Sequence, residues 1–142
     1  MILNNFVIAL LTLILSTITI IHIYWFFGGE KGLDVSLPHD ITEIKKKFSK
    51  LTIQILNMVF ITPVIVTLLF LILSLYSIIP IMEPYKPLIL YVFSIIFIVR
   101  GLTGWLINKW SKKESFKKQN TFIYSPISFI IGILLYILYS RV

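Results

Sequence analysis

Long runs of apolar residues without a charged side chain are the feature that most limits how this chain can fold. The first charged side chain is Glu30, and none lies between Leu51 and Met82. A helix needs about 20 consecutive apolar residues to cross the hydrocarbon core of a bilayer, and four segments of the chain reach that length. With 58% hydrophobic and 13% charged residues, the composition excludes an ordinary soluble domain. We therefore expect a single integral membrane domain, residues 1–142.

Four predicted helices account for these runs, so the expected fold is an all-α membrane protein, a four-transmembrane-helix bundle. Their expected bounds are about 5–27, 51–79, 88–108 and 121–140. Gly28 and Gly29 end the first helix, because glycine tolerates the left-handed geometry of a helix C-terminus. Pro126 leaves two interpretations of the fourth helix open. Either Ser125 and Pro126 start the helix, or it begins near Asn120 and Pro126 kinks it.

Small and hydroxyl residues share one face of the first predicted helix. They are Ala9, Thr12, Ser16 and Thr19. Small residues let neighbouring helices approach closely in lipid, where apolar surface alone gives little preference for helix association. We therefore expect this face to pack inside the bundle.

A short amphipathic juxtamembrane helix is predicted before the second transmembrane helix. Asp40 has the pattern of an N-cap, and Glu43, three residues later, completes a capping box. Apolar residues then recur at helical spacing, with lysines on the opposite side. This pattern is typical of a helix that lies on the membrane surface.

The positive charges predict the orientation of the chain in the membrane. The net charge is +7, and the basic residues of the first and third loops are Lys31, Lys45, Lys46, Lys47, Lys50, Lys109, Lys112, Lys113, Lys117 and Lys118. Only Lys86 and Arg141 lie on the opposite side. The positive-inside rule then places the first and third loops in the cytoplasm and both termini outside. This distribution beside apolar spans also argues against nucleic-acid binding.

Polar side chains concentrate at the end of the bundle that carries these loops. The residues expected to form a ligand pocket there are His22, Tyr24, Trp25, Glu30, Arg100, Asn120, Thr121, Tyr124 and Ser125. The chain has no cysteine, and one histidine in a membrane is too few for a metal centre. We therefore expect no metal and no cofactor, and we assign no catalytic residue.

Arg100 carries the strongest signal, because an arginine at mid-membrane costs about 2.5–3.5 kcal/mol on insertion scales. Two interpretations stay open. Its side chain snorkels toward the nearer end of the helix, or it faces the bundle and binds an acidic group such as Glu30 or a ligand. Gly104, one turn further along, favours a neighbouring helix on that face. Trp25 is also typical of an interfacial aromatic belt, and His22 of a hydrogen-bonded structural histidine.

Three stretches of the chain resemble a family of small bacterial membrane proteins designated domain of unknown function 3995. The stretches are HIYWFFGG at the end of the first helix, RGLTG in the third, and FKKQNTFIYSPISF at the start of the fourth. In the last stretch Phe116, Thr121, Tyr124, Ser125 and Pro126 fall on family positions. The resemblance covers nearly the whole chain and implies a four-helix integral membrane protein of the bacterial cell membrane, without implying an activity.

The chain departs from the family pattern within its third stretch. Asn120 stands where aspartate is usual, and Ile127 and Ser128 stand where leucine and cysteine are usual. An asparagine at position 120 weakens the idea that Arg100 must pair with an acid there. It still supplies hydrogen bonds, so a polar pocket with less charge is expected.

Three functions are compatible with these features. The first is a non-catalytic membrane protein whose pocket on the cytoplasmic side binds an anionic or amphipathic small molecule or an anionic lipid. The second is an accessory or structural subunit of a larger membrane complex, as a homo- or hetero-oligomer. The third is a membrane-embedded enzyme in which His22 acts as general acid or base and Arg100 stabilises charge. The absence of clustered carboxylates in the predicted spans disfavours the enzyme.

Overall fold

The computed structural model describes residues 2–37, 49–75 and 80–141, and every regular element in those ranges is helical. The elements are α1 (Ile2–Phe26), α2 (Leu33–Ser36), α3 (Lys50–Leu75), a 3₁₀ segment (Pro80–Tyr85), α4 (Lys86–Ile107), α5 (Glu114–Gln119), a π-helical segment (Asn120–Tyr124) and α6 (Ser125–Tyr139). The predicted juxtamembrane helix falls mostly on residues 38–48, which lie outside the described residues.

Three helical stretches are long and apolar enough to cross a membrane among the described residues. They are Asn4–Phe26, Glu83–Ile107 and Glu114–Tyr139. Large apolar side chains are exposed on their outer surfaces, including Phe6, Leu13, Leu88 and Ile130. Exposing such an apolar surface to water is unfavourable, whereas contact with lipid tails carries no such cost. The chain is therefore an all-helical, multi-pass membrane protein.

The long helices pack in two pairs, α1 with α3 and α4 with α6, and α1 also contacts α6. The apolar core between them contains Leu11 and Leu15 of α1, Ile61 of α3, and Ile131 and Leu135 of α6. The Arg141 guanidinium donates a hydrogen bond to Asn4 Oδ1 at 3.3 Å. This contact brings the start of α1 and the end of α6 to the same end of the molecule.

The predicted inward face of α1 is largely wrong. Its buried positions are Val7, Leu11 and Leu15, whereas Ala9 is exposed. Of the predicted stripe, Thr19 does turn inward, because its hydroxyl oxygen is buried. Branched apolar side chains fill the contact with α3 and α6 better than small ones do. Helix α1 is therefore oriented with Val7, Leu11 and Leu15 toward these helices.

Two glycines end α1 as expected. The N–H of Gly29 donates to the carbonyl of Tyr24 at 2.9 Å, and the N–H of Gly28 donates to Trp25 at 3.0 Å. This pair of bonds is the Schellman motif, which requires a left-handed residue. Gly28 supplies it with φ at 96°. The chain therefore turns sharply out of α1 into the first loop.

Helices α4 and α6 approach each other backbone to backbone. A Cβ atom at Gly101 would lie 2.8 Å from the Phe129 backbone nitrogen, and one at Gly132 would lie 2.7 Å from the Ile98 nitrogen. Neither position has room for a side chain. Glycine at the crossing points is the usual means of close helix association in lipid, and it fixes α4 and α6 as one antiparallel unit.

The fourth predicted helix starts earlier than either interpretation placed it. The chain becomes helical at Glu114, passes through the π segment Asn120–Tyr124, and continues as α6. The lysine-rich stretch predicted as loop is thus partly helical, with Lys117 paired to Glu114 at 2.7 Å. Pro126 lies two residues after the last residue of the π segment, and its missing N–H disturbs the regular α-helical ladder there.

Candidate functional site around Arg100

Arg100 extends along α4 toward its C-terminal end, and its guanidinium lies over Gly104. A Cβ atom at Gly104 would lie 2.6 Å from an Arg100 guanidinium nitrogen and would overlap the Ser125 hydroxyl of α6. Both sequence interpretations of Arg100 are thus partly met. The side chain runs toward the polar end of the helix, and it does so along the edge of the α4–α6 contact. The missing side chain of Gly104 provides the space.

The Arg100 guanidinium has no protein partner within the part of the chain that the structure describes. The ion pairs there are Lys86 with Glu83 at 3.8 Å and Lys117 with Glu114 at 2.7 Å. Glu30, which the sequence suggested as an acidic partner, makes no ion pair with Arg100 among the same residues. A guanidinium carries five N–H donors, so the full donor set of Arg100 is open to an added acceptor.

Asn120 organises the buried polar network behind Arg100. Its side chain is fully buried, and its amide nitrogen donates to the Gly104 carbonyl and, at 2.9 Å, to Asn108 Oδ1. Its amide oxygen accepts from the Ser125 hydroxyl at 3.3 Å. Every polar atom of the Asn120 side chain is therefore satisfied, as a buried amide requires. A neutral amide suits this position because two of its neighbours are acceptors.

The π segment leaves one backbone carbonyl without a partner in its own helix, and α4 supplies that partner. The N–H of Ser125 donates to the Asn120 carbonyl, and Pro126 has no N–H. The Thr121 carbonyl is therefore free to accept from the Trp105 indole at 3.3 Å. Trp105 thus has a specific donor role across the helix pair.

Thr121 also joins the network through its side chain. The Asn108 amide donates to Thr121 Oγ1 at 2.7 Å. Tyr124 is half-buried, and its carbonyl accepts from the Ser128 hydroxyl at 2.8 Å. Asn120, Thr121 and Ser125 therefore meet the end of α4 that carries Arg100 and Asn108, whereas the bond to the Tyr124 carbonyl lies within its own helix.

The predicted residues of the first helix form a separate cluster. The His22 and Trp25 rings pack edge to face with centroids 4.8 Å apart, and His22 Nδ1 lies 2.9 Å from the Ile18 carbonyl. The Trp25 indole donates to the Lys31 carbonyl at 3.0 Å. The Trp25 bond holds the first loop against the end of α1, whereas these two His22 contacts lie within α1.

Tyr24 and Glu30 complete the description of this cluster. The Tyr24 hydroxyl accepts from the Lys31 N–H at 3.4 Å, and Glu30 is exposed in the turn before α2. Contacts between α2 and α5 place the first loop at the same end of the molecule as the Arg100 site. The prediction that the polar groups share one end therefore agrees with the described contacts, although the residues form two clusters.

Asn108 and the Gly104 carbonyl are site groups that sequence reasoning missed. Asn108 follows Gly104 by one helical turn and lies on the same face, and it is the residue at which the third predicted helix was expected to end. That periodicity was a usable signal. No sequence signal pointed to the Gly104 carbonyl, because it can accept a bond from α6 only where α6 approaches a backbone that carries no side chain.

The site has no composition typical of a metal centre. Among the described residues, no group of three or more histidine, aspartate or glutamate side chains is close enough to hold a metal ion. The polar groups around Arg100 are amides, hydroxyls and one guanidinium. Such a set can bind and orient an anion.

Comparison with known proteins identifies the family to which this chain belongs. No curated protein and no solved structure matches the chain. The family described as "Protein of unknown function (DUF3995)" matches residues 15–135, which include the end of α1 and the whole Arg100 site. The resemblance seen in the sequence is confirmed, and the chain belongs to this family.

Proposed function

We propose that this protein is a four-helix membrane protein that binds the acidic group of an amphipathic molecule at Arg100, on the cytoplasmic side, without catalysing a reaction. The observation that carries the proposal is a guanidinium that lies within an apolar helical span and has no partner among the described residues. An unpaired charge at that depth is costly. A bound acid would form charge-assisted hydrogen bonds with it, and these are stronger than neutral ones.

The direction of the helices supports α3 as a fourth crossing. Asn4 meets Arg141, so α1 and α6 run in opposite directions. Helices α4 and α6 are also antiparallel, and α1 and α4 therefore run the same way. The chain must return across the membrane between them. Helix α3 has 26 residues, or about 39 Å at 1.5 Å per residue, which is long enough to do so.

The basic loops support the cytoplasmic side. Lys109, Lys112 and Lys118 are exposed in or near the third loop, at the end of the molecule that holds the Arg100 site. Positive loops stay on the cytoplasmic side of a bacterial membrane. An acidic molecule at Arg100 would accordingly lie in the cytoplasmic half of the bilayer, where these lysines add a favourable field.

The test is titration of purified protein in neutral maltoside micelles with dodecyl phosphate, followed by Trp fluorescence. Wild type should bind it saturably, and Arg100→Gln should lose about tenfold or more in affinity. Lys86→Gln is the matched control, because it removes a cation from the other end of α4. Equal binding by wild type and Arg100→Gln would refute the proposal.

A second function, an accessory subunit, is favoured by one observation. The outer face of α1 carries an open groove of about 750 Å³ lined by Asn5, Ile8, Ala9, Thr12, Leu13 and Ser16. Amide and hydroxyl groups on an outer face are typical of helix–helix contacts in lipid. Crosslinking from Thr12→Cys in native membranes should capture a partner helix, and no adduct above the monomer would exclude this function.

A further inference from the structure

Arg100 stands at the border between two faces of α4. On one side, Phe97 and Gly104 are buried against α6. On the other side, Ile96 and Val99 are 42% and 50% exposed. The Arg100 side chain itself is exposed along this border. Its guanidinium is therefore reachable from the outer surface of the helix pair, which faces lipid.

About one helical turn from Gly104 toward the membrane interior, helices α4 and α6 touch without a gap. Gly101 meets the Phe129 backbone, and Gly132 meets Ile98, with no space for a single methyl group at either crossing. No passage can run between the two helices at these crossings. A molecule that reaches Arg100 and continues toward the membrane interior must therefore lie on the outer surface of α4.

Two exposed apolar side chains of α4, Ile96 and Val92, form a strip along that outer surface from Arg100, which we call the apolar lane. Ile96 and Val92 precede Arg100 by four and eight residues, so they lie on its side of the helix. They are 42% and 43% exposed. A hydrocarbon chain laid over these side chains would point toward the membrane interior while its head stayed at the guanidinium.

We propose that the acidic group at Arg100 is the phosphate of a membrane lipid, which reaches the site sideways from the bilayer with an acyl chain over Ile96 and Val92. This inference rests on the proposed function and names its ligand class. A guanidinium binds phosphate oxygens in a bidentate manner. A free phosphate ester from water would offer Arg100 the same chemistry, but it would not use the lane.

The experiment compares lipid retention by native mass spectrometry. Protein is released from nanodiscs of phosphatidylcholine with a minor fraction of phosphatidic acid, with and without excess glycerol phosphate. The variants are Arg100→Gln, Ile96→Trp and Ile95→Trp. Ile96→Trp fills the lane and leaves Arg100 intact. Ile95→Trp is the matched control, because Ile95 is equally exposed at 42% but points to another side of α4.

Wild type and Ile95→Trp should retain phosphatidic acid, and Arg100→Gln and Ile96→Trp should lose about tenfold or more. Retention by Ile96→Trp at the wild-type level, or displacement of the lipid by glycerol phosphate, would overturn the lipid inference alone. Retention by Arg100→Gln would overturn it together with the proposed function. If circular dichroism shows Ile96→Trp to be misfolded, Val92→Trp blocks the same lane and decides the question.

Discussion

Substituting Gly101 by alanine tests the packing on which the site depends. The added Cβ would lie 2.8 Å from the Phe129 nitrogen, 2.8 Å from its Cβ and 3.0 Å from its Cα. Two of these atoms belong to the backbone of α6, so no side-chain rotation relieves the contact. The helices must separate or shift by several tenths of an ångström, and the well-packed seam between them would be lost.

The magnitude follows from two opposing effects. Overpacking of a tight contact costs about 1–3 kcal/mol. Alanine favours the helix over glycine by about 1 kcal/mol, which offsets part of that cost. Because two of the clashing atoms are backbone atoms, the overpacking cost should lie in the upper part of that range, at about 2–3 kcal/mol. After the helix preference of alanine is subtracted, we expect Gly101→Ala to lower the free energy of unfolding by about 1–2 kcal/mol. Gly132→Ala, which meets Ile98 from the facing helix, should act in the same direction.

The assay is reversible unfolding in mixed micelles, with dodecyl sulfate as denaturant and far-UV circular dichroism as readout. Leu102→Ala is the control, because Leu102 is the next residue along α4 and is 48% exposed. Its free energy of unfolding should stay within about 0.5 kcal/mol of wild type. If Gly101→Ala were as stable as wild type and Leu102→Ala, the close α4–α6 contact would not exist.

Three further substitutions probe the network and the helix end. Trp105→Phe removes the indole donor to the carbonyl freed by the π segment, and should cost about 0.5–1.5 kcal/mol in the same unfolding assay. Asn120→Ala should cost more, about 1–3 kcal/mol, because it leaves the buried Gly104 carbonyl and other groups unsatisfied. Gly28→Ala places an alanine at φ of 96°, which costs about 1–2 kcal/mol of backbone strain. The turn after α1 should therefore open more often, and trypsin should cleave at Lys31 faster. Wild-type behaviour of any one of these variants would contradict the corresponding contact.

Arg100→Gln makes an additional prediction about stability that separates binding from folding. Removing a charge for which the described part of the chain supplies no partner removes part of its burial cost. The variant should therefore unfold at the same or a higher denaturant concentration than wild type in lipid-free micelles. A marked loss of stability would mean that Arg100 holds the fold together rather than serving a ligand.

Sequence reasoning located the polar end of the molecule but not its inner organisation. Arg100, Asn120, Thr121 and Ser125 were expected to lie together, and the hydrogen bonds around Asn120 show that the last three do. His22 and Trp25 were expected to join them, yet their described contacts lie with Ile18 and Lys31. Helix ends that share one side need not share one pocket, because the pairing of the helices decides which ends touch.

The start of the fourth predicted helix shows the same limit on a local scale. Lysines beside an apolar run indicate a loop when they are considered alone. In the structure, the residues from Glu114 to Gln119 are helical, and Phe116 is buried. A helix can carry lysines on its outer side as long as an apolar residue anchors its inner side. The boundary therefore depended on a contact that the charge pattern does not contain.

The sequence by itself determined that this chain is helical and lies in a membrane, that Gly28 and Gly29 terminate α1, and that costly polar groups collect at one end. Those properties follow from local features, namely apolar length, glycine's backbone freedom and the order of polar residues along each helix. Only the tertiary structure decided which face of α1 is buried, how Asn120 and Trp105 join α4 to the π segment, and that Arg100 has no partner within the described ranges. These depend on how two helices approach each other, and the approach is set by complementary surfaces far apart in the chain.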